Sequence, residues 1–486
     1  MSTDFHLKRN RFLAALLSVC ALSSWASAQR ATVKPPATAA AEIRRQTFEQ
    51  VWRTVNEKYF DPTFGGVNWA RVHDAYAPRV ALLKTDDALY PLLQQMLGEL
   101  RQSHFGILRP PASTPKLAPV APPAEKVTAV ADAAPAPTKP DSTPPAPSKN
   151  NPAPADNAPP PVPELPANIG AQLQVIGGQA VVVRVREDTP AARAGWRPGF
   201  VVTDINGLSL INYLEYLREY SAYSRAAPGL ARLRQNRALN ELLEGRPETK
   251  LTAAYLDEKD QPHTVNFVRV KPTGALPLVF GNLPPVSLEF SAQRLAHNIG
   301  YLRFNIWLVP QLAKLRAALS EMRDAPGLII DLRGNPGGVG FMANGFAGNL
   351  LARETSLGRM QLRTGYLNFP VYPQTPNYAG PLVILLDYGS ASTSEIFAAA
   401  LQESGRATVI GEPSAGAALP SLIEKLPNGA LLQYAVADYQ TPRGTLVEGR
   451  GVLPDVAATI TRAGLLDGHD APLEAALAFL QTKKTL

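Results

Sequence analysis

One long stretch of this chain is excluded from any hydrophobic core, and that exclusion decides how the rest is organised. Residues 109–166 are built of Pro, Ala, Lys and Asp with almost no aromatic residue, and end in PAPTKPDSTPPAPSKNNPAPADNAPPPVPELP. Such a composition buries too little surface to repay its ordering entropy, so it reads as a solvated, partly extended linker. The remaining sequence must therefore fold as pieces on either side of it. At 486 residues with 45% apolar content, there is enough material for two or three cores.

The first 28 residues are set apart by a different pattern. LKRN with Arg11 is a basic lead, FLAALLSVCALSSW is apolar but short for a bilayer, and Ala26-Ser27-Ala28 fits a small-residue cleavage site. This predicts a secretory signal cut after Ala28 and a periplasmic or secreted protein. Cys20, the only cysteine, lies inside that signal, so the mature chain is left without thiol or disulfide chemistry. Lipid attachment at Cys20 is the less favoured reading, because Val19 is bulky where a lipoprotein signal has a small residue. Losing three basic residues and one acid takes the formal charge from +7 to +5. That excess is too small and too dispersed for a nucleic-acid groove, and no later stretch is apolar enough to cross a membrane.

Four further parts follow. Residues 29–108 read as a helical region, with Phe48, Val51, Trp52, Val55 and Tyr59 at helical spacing. The linker comes next. Residues 167–272 read as strands interrupted by a helical insertion over 211–246. Residues 273–486 alternate strands with helices. Within 167–272, NIGAQLQ, AVVVRV and DTPAARAGWRPGFVVTDINGLSL resemble the PDZ domains of secreted proteases, with Phe200 where that family usually has Asp. The resemblance implies a peptide-binding loop in which backbone amides near Ile169, Gly170 and Ala171 hold a terminal carboxylate, beside a strand edge open to an extended peptide. A β-domain that binds nothing is the alternative.

The last part contains DYGSASTSEIFAAALQESG, three serines placed where the buried run PLVILLD turns into a helix. A short strand, tight turn and helix put a side chain at a helix N-terminus, where free amides favour developing negative charge. Plain helix capping by all three serines is the other reading of the same residues.

GYLRF, IDLRGNPGG, SASTSEIFAAALQESGRATVIGEPSAG and GRGVLPDV, in that order, resemble the C-terminal processing (tail-specific) serine proteases and the related tricorn core protease. The likeness spans about residues 45–107 and 165–480. It implies an α/β core of mixed sheet and helices, ClpP/crotonase-like, with an N-terminal helical region and an inserted PDZ β-domain. It also implies that Ser392 is the nucleophile, with Ser390 and Ser394 as turn and cap residues. The family's activating lysine is missing, because GEPSAGAAL puts Ala417 at that position. Lys425 in SLIEKLPNG replaces it only by unexpected geometry. MLGELRQSHFGIL and VEGRGVLPD resemble instead the tricorn segments that carry a histidine and a glutamate, which map to His104 and Glu448. His73, His263, His297 and His469 fall in no family motif.

The glycines of NPGG let a backbone amide approach a substrate unobstructed. The resemblance makes Gly338, with Gly337 beside it, one oxyanion donor, and the amide of Thr393 the second. No metal-ligand spacing or phosphate loop is present, so no metal or cofactor is expected. The expectation is a serine endopeptidase acting on proteins or peptides, engaged through their C-termini. A peptide-binding pseudoprotease, marked by Ala417, is the competing class.

Overall fold

The computed structural model describes residues 37–109, 165–223, 226–272 and 286–483. The expected signal over 1–28, Cys20 and nearly all of the linker lie outside the described residues. Two compact units divide at residue 43, within the first helix, and the packing and site described below concern the second, from Arg44 onward. Among the described residues, no helix is long and apolar enough to cross a membrane.

Three helices lead: α1 (Ala37–Lys58), α2 (Trp69–Ala81) and α3 (Asp86–Gly98). Asn68 and Thr85 cap α2 and α3 by accepting backbone N–H groups at their first turns. Strand β1 (Gly106–Leu108) follows, and it pairs antiparallel with a strand far downstream, Gly106 standing opposite Gln433. The helices share one core with that downstream region. Phe48, Val51, Tyr59, Leu93 and Met96 pack in the same cluster as Leu419, Leu432 and Tyr434.

The inserted β-domain comprises β2 (Ala171–Ile176), β3 (Gln179–Val185), the single-turn α4 (Pro190–Arg193), β4 (Val201–Ile205) and β5 (Leu208–Ser209). Helices α5 (Leu210–Tyr223) and α6 (Pro228–Leu243) come next, then β6 (Lys250–Leu256) and β7 (Pro262–Val268). Its sheet runs in the order β2-β3-β4-β6-β7, antiparallel throughout. Ile169, Leu173, Val182, Trp196 and Phe267 fill its core.

The second sheet positions the site. In chain order it uses β8 (Phe290–Arg294), β9 (Gly300–Phe304), β10 (Leu328–Asp331), β13 (Leu382–Leu386), β14 (Thr408–Gly411) and β18 (Val456–Ala457), separated by the elements named below. Every neighbouring pair is parallel except β8 with β9. LIID of β10 and LVILL of β13 are buried at every position, as parallel strands covered on both faces require. Helices α7 (Val309–Glu321), α8 (Gly340–Ala347) and α9 (Thr393–Glu403) join a core with Trp307, Phe346 and Phe397. On the other face, α11 (Ala471–Lys483), preceded by the short α10 (Arg462–Leu466), sets Ala476 and Leu480 against Ile329 and Val383. Two three-stranded sheets complete the molecule: β11 (Thr355–Leu362) between β12 (Tyr366–Val371) and β17 (Ala437–Gln440), and β16 (Leu431–Ala435) between β1 and β15 (Ser421–Lys425).

Candidate active site

Because β10 and β13 are parallel neighbours, the loops at their carboxyl ends lie side by side. The loop after β13 is held rigidly. Asp387 accepts the N–H groups of Gly334 and Gly389, at 2.8 and 2.9 Å, so one carboxylate ties both loops together. Two of the three serines are structural. Ser390 is buried and donates to the carbonyl of Leu332, while Ser394 donates to the carbonyl of Asn335 and accepts the indole N–H of Trp307.

Ser392 differs from both. Its backbone sits at φ 54° and ψ −119°, a conformation that costs a non-glycine residue about 1–3 kcal/mol and persists only where neighbours enforce it. They do so here: its N–H donates to the carbonyl of Ala417 at 2.8 Å and to the Glu395 carboxylate at 2.9 Å. The Ser392 side chain donates no hydrogen bond among the described residues, so its hydroxyl is left half-buried at the start of α9.

The glycine turn closes on this residue. A Cβ on Gly337 would stand 2.7 Å from Cβ of Ser392 and 2.9 Å from the Thr393 nitrogen, and one on Gly338 would strike the Trp307 carbonyl at 2.2 Å. Only glycine fits at either position. Among the described residues, the N–H groups of Gly338 and Thr393 donate to no protein acceptor, whereas that of Gly337 goes to Asn335 Oδ1. Two free donors thus flank the serine.

His104 arrives from the turn between α3 and β1, and Glu448 from the turn before β18. The two are joined by a bridge through Ser103. Ser103 Oγ lies 2.8 Å from Glu448 Oε2 and 2.7 Å from His104 Nδ1, and the Ser103 N–H donates to Glu448 Oε1. A hydroxyl has one hydrogen; donated to the carboxylate, it leaves Oγ to accept N–H from Nδ1, so Nε2 carries the free lone pair. Ser103 stands in the quoted QSHF stretch but was not singled out, because a serine beside a histidine has no distinguishing spacing.

One strand of chain links the two halves. Within residues 416–418, the carbonyl of Ala417 takes the Ser392 N–H while the N–H of Ala418 donates to Glu448 Oε2 at 2.9 Å. His104 Nε2 and the Ser392 hydroxyl are not hydrogen-bonded to each other, an arrangement common in sites without substrate. Burial pushes the His104 imidazole down to about 4 and raises the Glu448 carboxyl, against three hydrogen bonds that favour its ionised form. The rival Lys425 is exposed on the outer strand β15. His73, His263 and His469 each pair with a carboxylate elsewhere: Glu49, Asp257 and Glu474.

The peptide-binding edge expected beside Ile169, Gly170 and Ala171 is not free. The Gly170 N–H donates to Asn168 Oδ1, and Ile169 is fully buried, its carbonyl accepting the Ala191 N–H. On β2, the N–H groups of Leu173 and Val175 donate to Asn240 and Asn236 of α6, and the two carbonyls accept from Asn240 and Arg232. The helical insertion has satisfied the edge that an incoming strand would use.

Residues 298–458 match the model of peptidase family S41, and residues 40–98 that of the tricorn protease C1 domain. The chain carries a family S41 peptidase domain. It is 24% identical over 465 residues to a carboxyl-terminal-processing protease of Synechocystis sp., covering 92% of this chain and 88% of that protein. The carboxy-terminal processing protease CtpA of Bacillus subtilis is 25% identical over 306 residues, 62% of this chain and 58% of CtpA. Among solved structures, mature CPAF aligns with a TM-score of 0.58 at 12% identity, covering 92% and 97% of the two chains. The photosystem II D1 C-terminal processing protease aligns with a TM-score of 0.51 at 20% identity, covering 90% and 97%. At those identities the alignments establish the fold, and the S41 domain places the chain with serine-type peptidases.

Proposed function

We propose that this S41 peptidase hydrolyses peptide bonds through an acyl-enzyme on Ser392, with His104 as its base and no lysine. The observation that carries the reading is the Glu448–Ser103–His104 chain, which directs a neutral imidazole's free nitrogen away from the carboxylate. Nε2 takes the hydroxyl proton as Ser392 attacks the carbonyl, then returns it to the leaving amine. Glu448 stabilises the charged imidazole through Ser103. The amides of Gly338 and Thr393 receive the developing oxyanion, each such donor being worth about 10²–10³ in rate.

Residues 167–272 are read as a PDZ-like domain. Since α6 satisfies the β2 edge, a peptide terminus is captured there only once Asn236 and Asn240 release the strand. The N-terminal 28 residues support export to the periplasm or outside the cell, with the mature chain beginning after Ala28.

A second reading, a peptide-binding pseudoprotease, is favoured by Ala417 and by the missing hydrogen bond between Ser392 and His104. A fluorophosphonate probe separates the two. Labelling that disappears in Ser392→Ala and in His104→Ala, and survives in Lys425→Ala, supports the enzyme. A wild-type chain that takes no label and cleaves no peptide would leave the binding protein.

A further inference from the structure

Helix α6 touches more than the β2 edge. At its first turn, a Cβ on Gly229 would stand 2.5 Å from the carbonyl of Ala415, and Leu230 is buried in a cluster with Ala391, Ala415 and Ala417. Of these, Ala391 directly precedes the nucleophile and Ala417 occupies the position of the missing lysine. The start of α6 is therefore pressed onto the loop segment 415–417, whose Ala417 carbonyl holds the Ser392 N–H.

One turn further on, at i+4 from Leu230 and on the same helix face, stands Arg234. The other arginines described on this helix have acceptors: Arg232 donates to the carbonyl of Val175, and Arg237 pairs with Glu241. Arg234 is half-buried and makes neither hydrogen bond nor ion pair among the described residues. Burial lowers its guanidinium from the usual range, while Tyr220 and, after it, the charge of Glu448 pull the other way. A guanidinium cannot shed its charge near neutral pH, so its five donors call for an anion. A planar carboxylate matches that fork.

We propose that Arg234 binds a carboxylate of the peptide substrate beside the scissile bond. The carboxylate comes from a free C-terminus or from an acidic side chain. In either case the insertion helix contributes specificity directly at the chemistry, independently of any capture at β2. The proposal rests on Ser392 being the nucleophile, and deepens that reading by naming a substrate class.

The test uses the full mature chain and matched internally quenched peptides. One pair differs only in a free or amidated C-terminus; another carries Glu or Gln near the cleaved bond. The readout is the ratio of kcat/KM for acid over neutral partner, in wild type, Arg234→Gln and Arg234→Lys. A ratio of about 10- to 100-fold in one pair is expected for wild type, the worth of a charge-assisted hydrogen bond. It should collapse toward one in Arg234→Gln and recover in part in Arg234→Lys, and the responding pair identifies the source. A folding defect lowers both partners equally; a ratio unchanged in Arg234→Gln would overturn the proposal. Should wild type cleave nothing, the enzymatic reading fails by itself. Anisotropy of the same peptides, fluorescently labelled, on Ser392→Ala with and without Arg234→Gln then decides the arginine: loss of the acid preference supports it, and equal affinities for acid and amide refute it.

Discussion

At the scale of single residues, the chemistry turns on a hydroxyl that motif reading passes over. In the proposed mechanism Ser103 transmits the charge of Glu448 to His104, so Ser103→Ala should leave the fold intact while lowering kcat by about 10²–10⁴, the range seen when an imidazole loses its orienting partner. Activity close to wild type in that variant would show that the bridge is idle. The desolvated imidazole sets the pH dependence. Its neutral form is the base, and burial lowers it to about 4, against an ordinary value of 6.5. Protonation of the imidazole itself should therefore cost no activity from pH 7 down past 5 and should act only as pH drops through about 4. An acid limb near 6.5 in kcat/KM that persists in Glu395→Gln would mean that the titrating group is a solvated histidine. His104, Ser392 and Glu448 were singled out as candidates because each lies in a stretch resembling a family segment. The bridge between them was not, since it depends on two turns 345 positions apart meeting at one oxygen.

At the scale of elements, α9 carries its own anchor. Glu395, in its first turn, is fully buried and accepts from Ser414 Oγ at 2.6 Å and from the N–H groups of Gly416, Ala417 and Ser392. That one carboxylate fixes both the strained serine and the strand bearing Ala417. Burial pushes it up to about 7 from 4.5 despite four hydrogen bonds to its charged form. Between those values the folded state binds a proton that the unfolded chain has released. Stability from this group is thus fully present below pH 4.5 and is lost as pH rises through about 7. In Glu395→Gln that slope should vanish from melting temperatures taken across pH 4.5–7. The variant should also be less stable, by about 1–3 kcal/mol for each donor left facing an amide NH₂. An unaltered slope would place the ionisation elsewhere. The strands GLIID and PLVILL were readable because both faces are buried, and the glycine turn because NPGG follows at once. What no local pattern exposed was the satisfaction of β2: Asn236 and Asn240 are unremarkable helix residues until they lie against a strand more than 60 positions earlier.

At the scale of the whole molecule, the two sides of the proline-rich stretch share a core rather than touching at a surface. Phe48, Leu93 and Met96 pack with Leu419, Leu432 and Tyr434, and β1 completes the sheet of β15 and β16. Shortening residues 111–161 to a brief Gly/Ser tether should leave peptide hydrolysis largely intact, because closure entropy changes only with the logarithm of loop length. Deleting residues 38–107 should abolish activity and also lower the melting temperature, since it strips β16 of its covering. A deletion that kept full activity would remove His104 from the mechanism. The order of synthesis gives that pairing of β1 with β16 another meaning. In the proposed mechanism the base, His104, is made early and the nucleophile and Glu448 late, and β1, beside the histidine turn, finds its partner only when residues 431–435 have emerged. On that reading, a chain synthesised only as far as β13 holds an imidazole without a hydroxyl to activate. On the proposed mechanism, the site can be assembled only after the partner strand of β1 and the turn bearing Glu448 have both been synthesised.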